Sequence, residues 1–205
     1  IAKVYGDSSY SDNWPVYSSV FDGTHYAYLN DTRKFTDYSD FWNDGTATST
    51  VFPVGSDNSD NTKSLLALCF TSVSGFSSIG SYEGNGSTTA GVFVHTNFRP
   101  AWILIKRADT SSSYASWAIY DSTRSTFNTT GTSSYNFPLW ANRDAQEGKR
   151  GDGSSAASGA ENIINFFSNG FMALGSGAEL NVANETYVYM AFASNPFSAN
   201  GGLAF

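Results

Sequence analysis

Residues 98–109, FRPAWILIKRAD, constrain this chain more than any other stretch. Arg99-Pro100 halts whatever precedes it, because proline has no N–H and fixes its own φ. Ala101, Trp102, Ile103, Leu104 and Ile105 then run on as one apolar segment, and Lys106, Arg107 and Asp109 end it in water. A short β-branched and aromatic run between such punctuation reads as a buried strand rather than a helix.

The run has an echo. Residues 1–17, IAKVYGDSSYSDNWPVY, match residues 104–120, LIKRADTSSSYASWAIY: Trp117 lies 103 positions after Trp14, and Tyr120 lies 103 after Tyr17. In the same register Ile1 answers to Leu104 and Lys3 to Lys106. A second pair, LLALCF at 65–70 and YVYMAF at 187–192, stands 122 apart, and 51–55 (VFPVG) parallels 165–170 (NFFSNG). The offset grows because the second copy carries extra loop residues, placed at the Gly/Ser/Ala-rich 146–159. Ordered self-similarity of this kind implies tandem copies of one unit. The expected boundaries are 1–78 for a first copy lacking its front, 79–197 for a complete second copy, and 198–205 for a C-terminal tail. The chain opens on Ile1 inside strand-like sequence, and so reads as a fragment of a longer polypeptide.

Within the second copy, strands are expected near 91–95, 100–107, 115–121, 163–167, 170–174 and 185–193. Tyr187, Tyr189 and Ala191 alternate with Val188, Met190 and Phe192, the period of an antiparallel strand. Asn85-Gly86, Ser168-Asn169-Gly170 and Gly175-Ser176-Gly177 supply turns. Charged residues are only 14% of the chain, against roughly 25% in ordinary soluble domains, and aromatics reach 16%. That balance favours strands and tight turns over long helices. The expected fold is all-β, two tandem antiparallel sandwich-like (jelly-roll-like) repeats.

Several functions are argued against. A net charge of −7 with no basic run longer than two residues opposes nucleic-acid binding. No apolar run approaches the ~18 residues of a membrane helix, and no signal peptide is visible. Cys69, the one cysteine, cannot form an internal disulfide and reads as a small buried hydrophobe. His25 and His95 stand 70 positions apart with no zinc spacing. Residues 57–61, DNSDN, offer oxygen ligands, but Thr62 and Leu68 stand where an EF-hand requires glycine and glutamate. No metal or cofactor is expected. A glycosidase needs two facing carboxylates, yet none of Glu83, Glu147, Glu161, Glu179 and Glu185 recurs at a matched strand position in both copies. No nucleophile elbow, P-loop or dinucleotide fingerprint occurs, so no catalytic residue is assigned.

The segments GSYEGNGST, FVHTNFRPAWILIKRAD, WAIYDSTR, FFSNGF and TYVYMAFASNPF, in that order, resemble a repeated domain of unknown function in tail fibre and appendage proteins of tailed bacteriophages, notably marine phages. The resemblance covers nearly all of 1–197 and extends to the first copy through Phe41-Trp42-Asn43-Asp44 and CFTSVSGF. It implies a virion structural protein, made in the host cytoplasm: a distal fibre segment, homotrimeric, touching other virion proteins and a host-surface glycan or protein. The alternatives are a capsid head fibre or decoration protein and, less favoured, a carbohydrate-active tailspike. Aromatic rings beside amides suit a sugar, the ring stacking on a pyranose face while amides and acids read hydroxyls. Tyr135, Asn136, Trp140, Asn142 and Arg143 form the best such cluster, and Trp42, Asn43 and Asp44 a second. The competing reading makes these aromatics the closure of a sandwich end.

Overall fold

The apolar run is β8, Pro100–Arg107, and it is covered on both faces. A computed structural model describes residues 1–5, 13–57, 64–124, 128, 138–145, 147 and 162–196. β8 lies between β9 (Ala118–Asp121) and β13 (Thr186–Ala193) in a five-stranded sheet completed by β10 (Leu139–Trp140) and β6 (Ser77–Glu83). Ile103 and Ile105 point into a core shared with Ile164, Phe166, Phe171 and Ala173. Those residues belong to a second sheet, β11 (Ile163–Phe167), β12 (Gly170–Leu174) and β7 (Val92–His95). Leu104 and Val188 point the other way, onto Val16, Ala27, Phe35 and Trp117. A strand buried on both faces must be apolar at consecutive positions, which explains the unbroken run. Its end is not solvated as expected. Lys106 is fully buried and Arg107 nearly so, because residues 32–35 of the N-terminal half lie over the first while Glu185 pairs with the second at 2.7 Å.

The N-terminal half supplies β1 (Ala2–Tyr5) paired with β5 (Ser64–Ala67), and a sheet of β2 (Pro15–Val16), β3 (His25–Tyr28) and β4 (Thr36–Asp37). Its own core gathers Ala2, Tyr26, Tyr28, Phe41 and Trp42. The last two come from α1, the one-turn helix Ser39–Trp42. The chain is all-β and sandwich-like, built from antiparallel sheets. The strands expected in the second half are all present, β9 starting later than expected. β6 and β10 are not among the expected strands: SSIGSYE has few apolar residues, and β10 is only two residues long.

Local geometry repeats between the halves. β1 pairs β5 through Ala2↔Ala67, Lys3↔Leu66 and Val4↔Leu65; β8 pairs β13 through Ile105↔Tyr189, Lys106↔Val188 and Arg107↔Tyr187. Adding 103 to the first member and 122 to the second converts each pair into its counterpart. β2 pairs β3 (Pro15↔Tyr28, Val16↔Ala27) as β9 pairs β10 (Ala118↔Trp140, Ile119↔Leu139), with 112 separating β3 from β10. The halves differ where chemistry dictates. Ala118 pairs with Ile105 in the large sheet, while Pro15, at the equivalent position, has no N–H to give to Ala2. Thus β2 and β1 fall into separate sheets. Likewise 51–55 forms no strand although 165–170 spans the β11–β12 hairpin, yet Gly55 and Gly170 share a constraint. A Cβ at either would come within 2.2 Å of a backbone oxygen, of Asp40 and Val94 respectively.

Three further expectations are corrected: the burial of Cys69 and the core positions that strand-like contexts imply for Trp14 and Trp102, though not the same expectation for Trp117. Cys69 is exposed, not buried, because it lies beyond the last residue of β5. Trp14 and Trp102 are half-buried, whereas Trp117 is core, with its Nε1 donating to the Tyr28 carbonyl at 2.7 Å.

Candidate functional site

β3 and β10 each end two residues before an asparagine, and the two turns face each other across a cleft of about 530 Å³. Asn30, Asp31 and Thr32 form one wall; Asn142, Arg143, Asp144 and Ala145 form the other. The turns are built alike. Asn30 Oδ1 accepts the Trp14 N–H at 3.0 Å while its Nδ2 donates to Asn13 Oδ1 at 3.1 Å. Asn142 Oδ1 accepts the Trp117 N–H at 2.9 Å while its Nδ2 donates to Ser116 Oγ at 3.3 Å. The backbone agrees: Leu29 N–H donates to the Trp14 carbonyl and Ala141 N–H to the Trp117 carbonyl. Both carboxamides therefore hold turns in place, and the groups left to meet a ligand are Asp31, Thr32, Arg143 and Asp144.

Arg143 is anchored but not saturated. Its Nε donates to Ser116 Oγ at 3.0 Å and its Nη2 to the Ser113 carbonyl at 2.9 Å, which fixes the guanidinium plane beside the exposed Asp144. Asp31 accepts from Arg33 Nε at 3.0 Å, and Arg33 in turn covers the Tyr28 ring at 4.8 Å. Behind this wall the Lys106 ammonium donates to the carbonyls of Thr32 at 3.4 Å and Arg107 at 2.6 Å. Burial draws Lys106 down to about 7; Asp31 opposes that shift and Arg107 adds to it. The cleft thus offers two carboxylates, a fixed guanidinium and a hydroxyl, a donor and acceptor set suited to a polyhydroxylated ligand. No Ser–His or Cys–His pair lines it, and among the described residues no group of three metal-ligating side chains occurs.

The structure divides the sequence candidates. Asn142 and Arg143 line the cleft. Trp140 does not offer its ring to solvent; it is 7% exposed, packed in the core of the second half. Trp42 is 1% exposed and meets Tyr17 edge-on, so it too is core rather than a stacking platform. Both rings sit at element ends, where sequence reads a surface loop, yet each faces inward because a sheet end needs closing. Asn43 and Asp44 are exposed with φ of 51° and 48°, and the Asn43 N–H returns to the Ser39 carbonyl, so they terminate α1. They are not among the residues that line the cleft. Tyr135 and Asn136 lie outside the described residues. Sequence reasoning missed Asn30, Asp31, Thr32 and Asp144. The available signal was Asn30, which repeats Asn142 at the 112-residue spacing of β3 from β10.

No curated protein matches the chain, and no solved structure matches it. A family profile does, over residues 3–196: a domain of unknown function, DUF7483. Because that match spans nearly the whole sequence, the chain belongs to this domain family.

Proposed function

We propose that this chain is a non-enzymatic structural segment of a bacteriophage fibre or appendage that contacts a host-surface glycan through the cleft between 30–32 and 142–145. The observation that carries the reading is the composition of that cleft: a guanidinium held by two hydrogen bonds, with two carboxylates and a hydroxyl in the same lining, a set of donors and acceptors for sugar hydroxyls. The resemblance to fibre domains supplies the biological setting, and the low charge and all-β build suit an extracellular particle.

The test is titration of the 205-residue chain with host envelope polysaccharide and its oligosaccharides. Saturable binding is expected, weakened tenfold or more by Arg143→Ala and by Asp144→Ala, with thermal midpoints retained for the exposed Asp144 variant. Tenfold corresponds to about 1.4 kcal/mol, close to the low end of what one hydrogen bond to a charged group contributes. Binding unchanged in both variants removes the cleft from the reading. Release of shortened oligosaccharides makes the protein an enzyme instead.

A further inference from the structure

The outer edge of β5 is an incomplete sheet. Ile1 and Leu68 exchange hydrogen bonds, the Ile1 amine donating to the Leu68 carbonyl at 3.0 Å and the Leu68 N–H to the Ile1 carbonyl at 2.8 Å. Antiparallel alternation then directs the backbone groups of Ser64, Leu66 and Leu68 toward β1 and those of Leu65 and Ala67 outward. Among the described residues nothing pairs with that outward edge. Edge strands are ordinarily protected by charge, proline or a bulge; SLLALCF at 64–70 has no charge and no proline, and Leu66, Leu68 and Phe70 are 43–46% exposed.

The second half shows what belongs there. β13 has the same register on β8 that β5 has on β1, and its other edge is filled by β6 through Tyr187↔Tyr82, Tyr189↔Gly80 and Ala191↔Ser78. Shifted by the same 122 positions, these contacts place a ring opposite Leu65 and small residues opposite Ala67 and Cys69. Tyr82 stacks on Tyr187 with ring centroids 5.2 Å apart, and a Cβ at Gly80 would press the Tyr189 ring at 3.3 Å.

We propose that the β5 edge is a docking site for an extended antiparallel strand of the β6 kind, the opening strand of another unit of this family, which completes the N-terminal sheet by strand addition. The recognition is backbone hydrogen bonding to Leu65 and Ala67, with an aromatic residue packing opposite Leu65 as Tyr82 packs opposite Tyr187. It does not depend on the glycan reading.

The experiment adds a synthetic peptide of residues 77–84, SSIGSYEG, to the 205-residue chain and follows backbone amides by NMR. Saturable shifts confined to 64–70 and their β1 partners are expected, with new exchange protection at Leu65 and Ala67. Peptides N-methylated at Gly80 or Tyr82 should bind at least tenfold more weakly, because those amides face the edge; methylation at Ile79 or Ser81 should matter little. Ala67→Pro removes an outward N–H and spares the β1 ladder, so it should abolish binding with the fold retained. The unmodified protein and the methylated peptides keep the test decisive if that variant misfolds. Absent binding, shifts elsewhere, or a reversed methylation pattern overturns the proposal. So does protection of Leu65 and Ala67 without peptide, since the edge would already be covered by this chain or a second copy.

Discussion

Trp117 is the residue on which the two halves meet. It is 4% exposed, packs edge-on against Phe35 at 6.4 Å, and donates its indole N–H to the Tyr28 carbonyl. Trp117→Ala should cost about 3–5 kcal/mol, by cavity formation together with the orphaned carbonyl. Urea unfolding measures it; a change below ~1 kcal/mol would show that the halves do not depend on this contact. Lys106 acts on pH dependence. Its ordinary value is 10.5 and its native value about 7, lowered by burial. Between those pH values the unfolded chain binds the proton and the native chain does not, so stability rises with pH across the window, by on the order of a few kcal/mol. Above pH 10 the sign reverses. Burial raises Tyr28 to about 12, and Tyr82, Tyr120 and Tyr187 upward as well, so the unfolded chain loses phenolic protons first. Unfolding free energies should peak near pH 10. In Lys106→Met the rise from pH 7 should flatten, leaving only the part owed to the half-buried Ile1 amine, whose value desolvation also lowers. An unchanged slope would refute the assignment.

At the scale of elements, the hairpin of β11 and β12 shows how tightly the second sheet is set. Gly170 sits beneath β7 with no room for a methyl: Val94 O would lie 2.2 Å and Phe93 Cζ 2.9 Å from its Cβ. Gly170→Ala should therefore separate β12 from β7 and cost about 1–3 kcal/mol. Hydrogen exchange gives a sharper reading than the stability change, since the β7 amides should lose protection while those of β8 and β13 keep theirs. Equal loss in both sheets would mean the sandwich unfolds as one unit. Period-two patterning made β13 legible, and the apolar run made β8 legible. β6 was not, because Gly80 and Ser78 are small where the Tyr189 side chain lies, a requirement set by a strand over a hundred residues away.

For the molecule as a whole, the fibre reading implies a trimer, which gains by multivalent contact with a dense surface. Residues 1–78 carry 9 acidic and 4 basic groups (−5), against 9 and 7 (−2) for 79–205, so like-charge repulsion is weaker between C-terminal halves. The apolar surface points elsewhere. Among the described residues Tyr5, Tyr38, Val51, Leu66, Leu68, Phe70 and Val73 are exposed in the first half, against Phe93 and Leu139 in the second. Mass measurement at high micromolar concentration should find a trimer for the full chain and a smaller species when 198–205, a segment outside the described residues, is deleted. A trimer that survives the deletion would move the contacts to the first half. Monomers in both cases would defeat the assembly.

By itself the sequence determined the strand positions in the second half apart from β6 and β10, and the offsets of 103 and 122, because hydrophobic period and gapless register are local properties of a chain. It did not determine which aromatic rings face solvent. Trp42 and Trp140 look like loop platforms until the sheets that bury them are assembled around them. Nor did it show the cleft, whose walls are 112 residues apart and whose asparagines matter only through bonds to Trp14 and Trp117. The burial of Lys106 and the open edge of β5 were likewise decided by tertiary structure, since each depends on which element lies, or does not lie, against a strand already formed.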